Sequence, residues 1–270
     1  MSVTDVTDAS APTTCDVNDV VVTDGVAATR LPAPGEHVSV DVLTTTGARH
    51  LTVARDQSGA IRISPTDAGP GAISTSSACG SSAYNRAGYR WTTTYQWWYN
   101  SSNVAAGVYG RAEDDLRAAT TNITQGHNDC GMTGRPRAYH SYRGRTTTRP
   151  QLSTSGACTG NDGRNVTGWG TINSTTILAV TCTYHNGGRA LASDALINTR
   201  FRWTDHASGC TNAWDLTSVM THERGHTFGL GHSSADTAST MYPSIAACTF
   251  GKRTLGRGDL RGLLDLYGRR

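Results

Sequence analysis

The strongest constraint on this chain is a set of histidines at fixed spacing: His222-Glu223-Arg224-Gly225-His226-Thr227-Phe228-Gly229-Leu230-Gly231-His232. Residues four apart on an α-helix share one face, a turn apart. A helix through His222 and His226 therefore aims both imidazoles at one point, where a zinc ion can sit at ~2.0–2.1 Å from each nitrogen. Glu223 is one residue on. Its carboxylate cannot share the histidines' direction, but it can face a water on that ion, which is the place of a general base. Gly229 can take a positive φ, end the helix and turn the chain, so that His232 returns as a third ligand. Three protein ligands leave one position for water, the pattern of a catalytic rather than a structural site. The competing reading, incidental histidines at a solvated helix end, is disfavoured by the extended spacing.

The chain has 270 residues, room for one large domain or a catalytic domain with a smaller segment. Apolar residues make up 37%, and the abundance of Gly, Thr and Ser points to strands and turns rather than a helical bundle. The net charge of +3 is almost all arginine, Lys252 being the only lysine, and an excess this small gives no reason to expect nucleic acid. No apolar run approaches the ~20 residues that span a bilayer, and Met1 to Ser10 shows no signal-peptide pattern. The cysteines are Cys15, Cys79, Cys130, Cys158, Cys182, Cys210 and Cys248, with no CxxC pair. The six after residue 78 read as disulfides of an exported protein. Their connectivity is open in the sequence; pairing neighbours gives Cys79–Cys130, Cys158–Cys182 and Cys210–Cys248.

Residues 1–14, small, polar and acidic, are expected to be disordered. Alternation in His37–Leu43 and His50–Ala54, joined through Thr46-Gly47, predicts a hairpin, with Ile61–Ile63 as a third strand. Residues 64–77, rich in Ser, Pro and Gly, read as a linker. The boundary placed there gives 1–74 as a small β-rich N-terminal segment, a candidate pro-region, and 75–270 as the catalytic domain. Beyond it the spacing predicts a strand over 89–99 and a helix from Ser102 or Asn103 to about Gln125, stopped by Gly126. Buried strands follow over 175–181 and 194–203. Asp215 caps the zinc-site helix, and 259–267 closes the chain as an amphipathic helix.

His222-Glu223-x-x-His226-x-x-Gly229-x-x-His232 resembles the metzincin signature, and Ser239-Thr240-Met241-Tyr242-Pro243 resembles the methionine turn of that group. The Met-Tyr-Pro wording, the run Asp215–Thr221 and the closing segment Gly258–Gly268 are similar to matrixins, the matrix-metalloproteinase-like branch; the microbial secreted type is expected. The resemblance implies an α+β fold: a metzincin-like catalytic domain with a twisted mixed sheet of about five strands and three helices. It implies a secreted zinc endopeptidase with His222, His226 and His232 as metal ligands and Glu223 activating a zinc-bound water. Met241 would form an apolar floor under the imidazoles. Tyr242, directly after Met241, is not read as a ligand; with Pro243 it is assigned to the substrate pocket. Zn2+ is the implied cofactor. The resemblance also admits structural Ca2+, for which no ligands are assigned. Leu196 stands where animal matrixins place a histidine for a second, structural zinc, which argues against that ion.

Protein or peptide substrates and a monomer complete the expectation. Cys15 lacks the switch motif with which matrixin pro-segments hold zinc, so a thiolate-latent form rests on analogy alone. Asp259 is read as an N-cap of the last helix rather than as a partner of a new amino terminus. His37, His50, His127, His140, His185 and His206 show no ligand spacing. Trp97, Trp98 and Tyr99 read as sheet core. The alternative function is a non-catalytic adhesion or carbohydrate-binding protein on a metzincin scaffold, against which the intact Glu223 argues.

Overall fold

Val38, Val40 and Val42 alternate with Ser39 and Asp41, the period of a strand with two unlike faces. In the computed structural model, which describes residues 20–68 and 77–270, these residues lie in the middle of one large sheet. In chain order the elements are β1 (Val21–Thr23), β2 (Ala28–Arg30), β3 (His37–Thr44), β4 (Ala48–Arg55), β5 (Ile61–Ala68), β6 (Asn85–Arg86), β7 (Tyr95–Asn100) and α1 (Ala112–Gln125). They continue with β8 (His140–Arg145), β9 (Val166–Gly170), β10 (Ile177–Asn186), β11 (Arg189–Asn198), β12 (Trp203–Thr204) and β13 (Trp214–Asp215). The last are α2 (Leu216–Thr227), β14 (Leu230–Gly231) and α3 (Arg257–Tyr267).

The main sheet has the order β5-β4-β3-β10-β11-β9-β7-β8. It is parallel from β8 through β7 and β9 to β11, and antiparallel from β11 onward. Eight strands stand where the resemblance implied about five. The difference is the N-terminal segment: β3, β4 and β5 continue the sheet by pairing β3 against β10. The linker expected over 64–77 also changes, since β5 runs through Ala68; the placed boundary, Cys15 and the expected disorder over 1–14 lie outside the described residues. A residue run with Ser and Pro still makes a strand here, because β5 is an edge that needs hydrogen bonds on one side only.

Two apolar clusters hold the layers together. One joins α1 (Leu116, Ala119, Ile123), α2 (Leu216, Val219, Met220) and α3 (Leu260, Leu263) to the sheet residues Tyr95, Trp97 and Tyr99. Trp97 and Tyr99 are thus core, as expected, whereas Trp98 is half-buried with the Arg164 guanidinium 5.1 Å from its ring centroid. The second cluster gathers Val38, Val40, Val42, Leu51 and Val53 against Val180, Cys182 and Tyr184. Among the described residues three disulfides form, and they are the neighbour pairs Cys79–Cys130, Cys158–Cys182 and Cys210–Cys248. Among the described residues no helix is long and apolar enough to cross a membrane.

Several boundaries differ from expectation: the buried strands run Ile177–Asn186 and Arg189–Asn198 rather than 175–181 and 194–203, and two further elements start late. The helix predicted from residue 103 begins at Ala112: Asn103 has a left-handed φ of 62°, and a 3-10 turn at Ala106–Val108 intervenes. Val104 and Val108 match the helical stripe, but Gly107 and Gly110 interrupt it. The strand predicted over 89–99 begins at Tyr95. Before it, Tyr89 donates its hydroxyl to the His226 carbonyl (2.9 Å) and Trp91 its indole to that of Thr227 (2.8 Å). These aromatics fasten the chain to the end of α2, while Arg90 between them bridges the start of β11.

Arg224, on the sheet-facing side of α2, is fully buried. Its guanidinium donates to Thr120 Oγ1 (3.0 Å), Tyr95 Oη (2.9 Å) and Thr167 Oγ1 (2.6 Å) and lies 4.7 Å from the Trp97 ring centroid. One side chain thus ties α2 to α1, β7 and β9. Arg224→Ala leaves a cavity and removes these bonds, and is expected to cost about 3 kcal/mol or more in urea unfolding; an unchanged midpoint would show that the guanidinium does not brace the helix.

Candidate metal centre

Asp215 is extended and its carboxylate accepts from the Ser218 N–H (2.9 Å), which starts α2. Every residue of α2 is buried, so its polar face is lined by protein rather than water. The helix ends where Gly229, with φ of 88°, turns the chain. A side chain is excluded there, because a Cβ would fall 2.1 Å from the Tyr89 carbonyl oxygen. After the turn β14 pairs with β6, and Asn85 donates to the His232 carbonyl (2.7 Å), which fixes the third histidine.

The result is a tight triad. Nε2 of His226 is 3.0 Å from Nε2 of both His222 and His232, and the last two are 3.2 Å apart. Nδ1 of His222 donates to the Thr240 carbonyl (2.8 Å) and that of His226 to the Leu230 carbonyl (3.0 Å), which leaves their Nε2 lone pairs directed inward. Burial pushes the pKa of His226 and of His232 down to about 3, and that of His222 well below the ordinary value. Neutral imidazole lone pairs converging in a buried space repel one another unless a cation lies between them. The donor set, its count and its geometry fit zinc.

Glu223 is buried beside the triad. Oε2 accepts from the Thr181 hydroxyl on β10, and Oε1 has no hydrogen-bond partner. Burial raises its pKa to about 8, the Thr181 hydrogen bond opposing and the Asp41 charge adding to the shift. A carboxyl poised near neutrality with a free oxygen can take up and return a proton.

Met241 is buried beneath the helix, its Sδ so close to Gly225 that a Cβ would lie 2.2 Å away. The turn is fastened by Asp259, whose carboxylate accepts from the N–H groups of Gly256 (2.8 Å), Thr240 (2.9 Å) and Met241 (3.3 Å). Asp259 thus sits in the first turn of α3, with Gly256 at the N-cap, and braces two segments at once. Lys252 donates to the Ser239 and Ser244 carbonyls, and burial lowers its pKa to about 8. Tyr242 and Pro243 follow Met241 and are buried, with the Lys252 ammonium 4.9 Å from the Tyr242 ring centroid.

Two partners of the site, Thr181 and Asp41, were not singled out from sequence, and a third, His50, was set aside there for want of ligand spacing. Asp41 on β3 is 3.3 Å from His226 Nδ1 and 2.7 Å from His50 Nδ1. Burial works against its charge, yet the neighbouring His226 and His50 hold its carboxyl below the usual carboxylate range. The available signal was a lone carboxylate inside an aliphatic strand.

Residues 164–268 match the family model described as Matrixin. Metalloendoproteinase 1 of Glycine max is 51% identical over 61 residues, which is 23% of this chain and 19% of that protein. Matrilysin of Felis catus is 40% identical over 83 residues, 31% of this chain and 30% of that protein. Neutrophil collagenase of Homo sapiens is 32% identical over 81 residues, 30% and 16% of the two chains. The chain thus spans less than a third of the length of these relatives. They come from a plant and from mammals, and nothing in them supports the expected microbial type. Across residues 164–268, which hold the histidine triad and the methionine turn, this chain is matrixin-like.

Proposed function

We infer that the protein is a secreted zinc-dependent endopeptidase, with 75–270 as its catalytic part and 1–74 as an N-terminal pro-region. The observation that carries the reading is the convergence of the His222, His226 and His232 Nε2 atoms within 3.2 Å beside the unpartnered Glu223 Oε1. The similarity to metalloendoproteinases and matrilysin supports a peptide hydrolase. Three disulfides support export.

His222, His226 and His232 would hold the ion. Zinc bound there supplies Lewis acidity that polarises a peptide carbonyl and acidifies a water. Glu223 Oε1 takes the proton of the attacking water and delivers it to the amine that leaves as the peptide C–N bond breaks. Thr181, donating to Oε2, holds the carboxyl so that the other oxygen faces the reaction. Met241 packs under the helix and reaches no substrate. Tyr242 and Pro243 form part of the wall for the side chain next to the cut bond, at the base of a loop tethered by Cys210–Cys248. Substrates are protein or peptide chains; the enzyme acts as a monomer, and calcium is assigned no residues.

Two measurements test this. Glu223→Gln in the chain after removal of its N-terminal segment is expected to keep zinc and lose about 10²–10⁴-fold in casein hydrolysis, the range of a general base; retention of most activity would sink the assignment. Zinc is expected to raise the thermal midpoint of the protein, stabilising it by about 4 kcal/mol at a thousandfold excess over Kd. His226→Ala is expected to abolish that zinc-dependent rise, and a variant that still shows it in full would remove His226 from the ligand set.

A further inference from the structure

A protease site has to admit a polypeptide backbone, yet His222, Glu223 and His226 are at most 1% exposed and His232 is 8% exposed. What covers them includes the N-terminal segment. Strand β3 pairs antiparallel along the whole outer edge of β10, from Ile177↔Thr44 to His185↔His37. At the centre of this pairing Asp41 stands opposite Thr181, the residue whose hydroxyl holds Glu223. Alternation puts Val38, Val40 and Val42 into the apolar cluster on the far side and turns Asp41 toward α2. There its Oδ1 lies 3.3 Å from His226 Nδ1, and its Oδ2 is buried without a partner. His50 of β4 closes over the same carboxylate at 2.7 Å.

Extended peptides bind proteins by adding a strand to an open sheet edge. The sheet without β3, β4 and β5 would be β10-β11-β9-β7-β8, with β10 as its edge beside the metal centre. In the intact chain that edge is taken. We propose that β3 is a built-in strand plug: it occupies the edge of β10 at the height of the metal centre, with Asp41 as its anchor against His226, and keeps the uncut chain latent. Displacing β3 opens the edge and uncovers Glu223 in one event. This rests on the peptidase reading above, but the closure is a property of the strand pairing and can be observed apart from catalysis.

The competing role for Asp41 is permanent: a carboxylate that orients His226 in the working enzyme. The two roles predict opposite effects. The zinc-loaded full chain would be compared with Asp41→Lys, which sets a cation against the metal centre, and with Ser39→Pro, which removes a ladder hydrogen bond of β3 without touching Asp41. Hydrogen exchange of the β10 amides and casein hydrolysis would be read on the same samples, with protection of α2 as the check on folding.

Closure predicts that both variants speed β10 exchange and raise hydrolysis roughly tenfold or more while α2 stays protected, because turnover follows the open fraction. Wild-type hydrolysis as fast as the variants', or β10 amides as protected in both folded variants as in the wild type, would overturn it. Loss of zinc in Asp41→Lys together with unchanged latency in Ser39→Pro would do the same and assign Asp41 the permanent role. Exchange that speeds up without any hydrolysis would instead overturn the peptidase reading and leave the strand plug standing.

Discussion

Two backbone carbonyls, those of Thr240 and Leu230, set the chemistry of this molecule. By accepting from Nδ1 of His222 and of His226 they choose the tautomer in which Nε2 carries a lone pair, and they point those lone pairs at one spot. Much of the surrounding structure serves to hold the two carbonyls still. Thr240 belongs to the turn that Asp259 and Lys252 brace, and Leu230 to a short strand reached through Gly229. A buried triad of this kind is costly to assemble without a cation, since each imidazole has given up water for the company of two others. The energy comes from the apolar layers on either side, and a bound cation would repay part of it.

The same reasoning explains the buried charges. Arg224 lies in a fully buried helix with no carboxylate hydrogen-bonded to it, among three hydroxyls and an aromatic face, a setting in which a guanidinium can meet its donors without an ion pair. Asp215 does face a cation, Arg253 at 2.6 Å, and so links the start of the helix to the segment after the methionine turn. The start of α2 is thereby referred to the chain beyond residue 239, and its end to Tyr89 and Trp91.

The histidine triad was legible in the sequence because its spacing encodes geometry directly: four residues for a helical turn, a glycine for a left-handed turn, a histidine beyond. Met241 was legible only through the resemblance of Ser239–Pro243 to a methionine turn, and the disulfides followed from simple neighbour pairing. What stayed hidden depends on contacts distant along the chain. Nothing near Asp41 announces His226, 185 positions later, and Thr181 looks like any β-branched residue of a buried strand. The strands β3, β4 and β5 were readable as a hairpin with a third strand, but alternation says only that a strand has two faces. It does not say which edge it joins, so the sheet grew from about five strands to eight. The helix start at Ala112 was missed because an apolar stripe continued through two glycines that local backbone preference does not tolerate inside a helix.

The distribution of the disulfides has a mechanical consequence. All six bonded cysteines lie between Cys79 and Cys248, and none lies in β1 through β5. Cys182 joins β10 to Cys158, whose backbone hydrogen-bonds Ala28 and Arg30 of β2, so the strand that receives β3 is covalently stapled only to the later part of the chain. Within the described residues the first five strands are therefore attached to the rest by main chain and by noncovalent packing alone. One severed peptide bond downstream of β5 would convert an intramolecular strand pairing into a bimolecular complex that dilution can pull apart, while the stapled remainder keeps its shape.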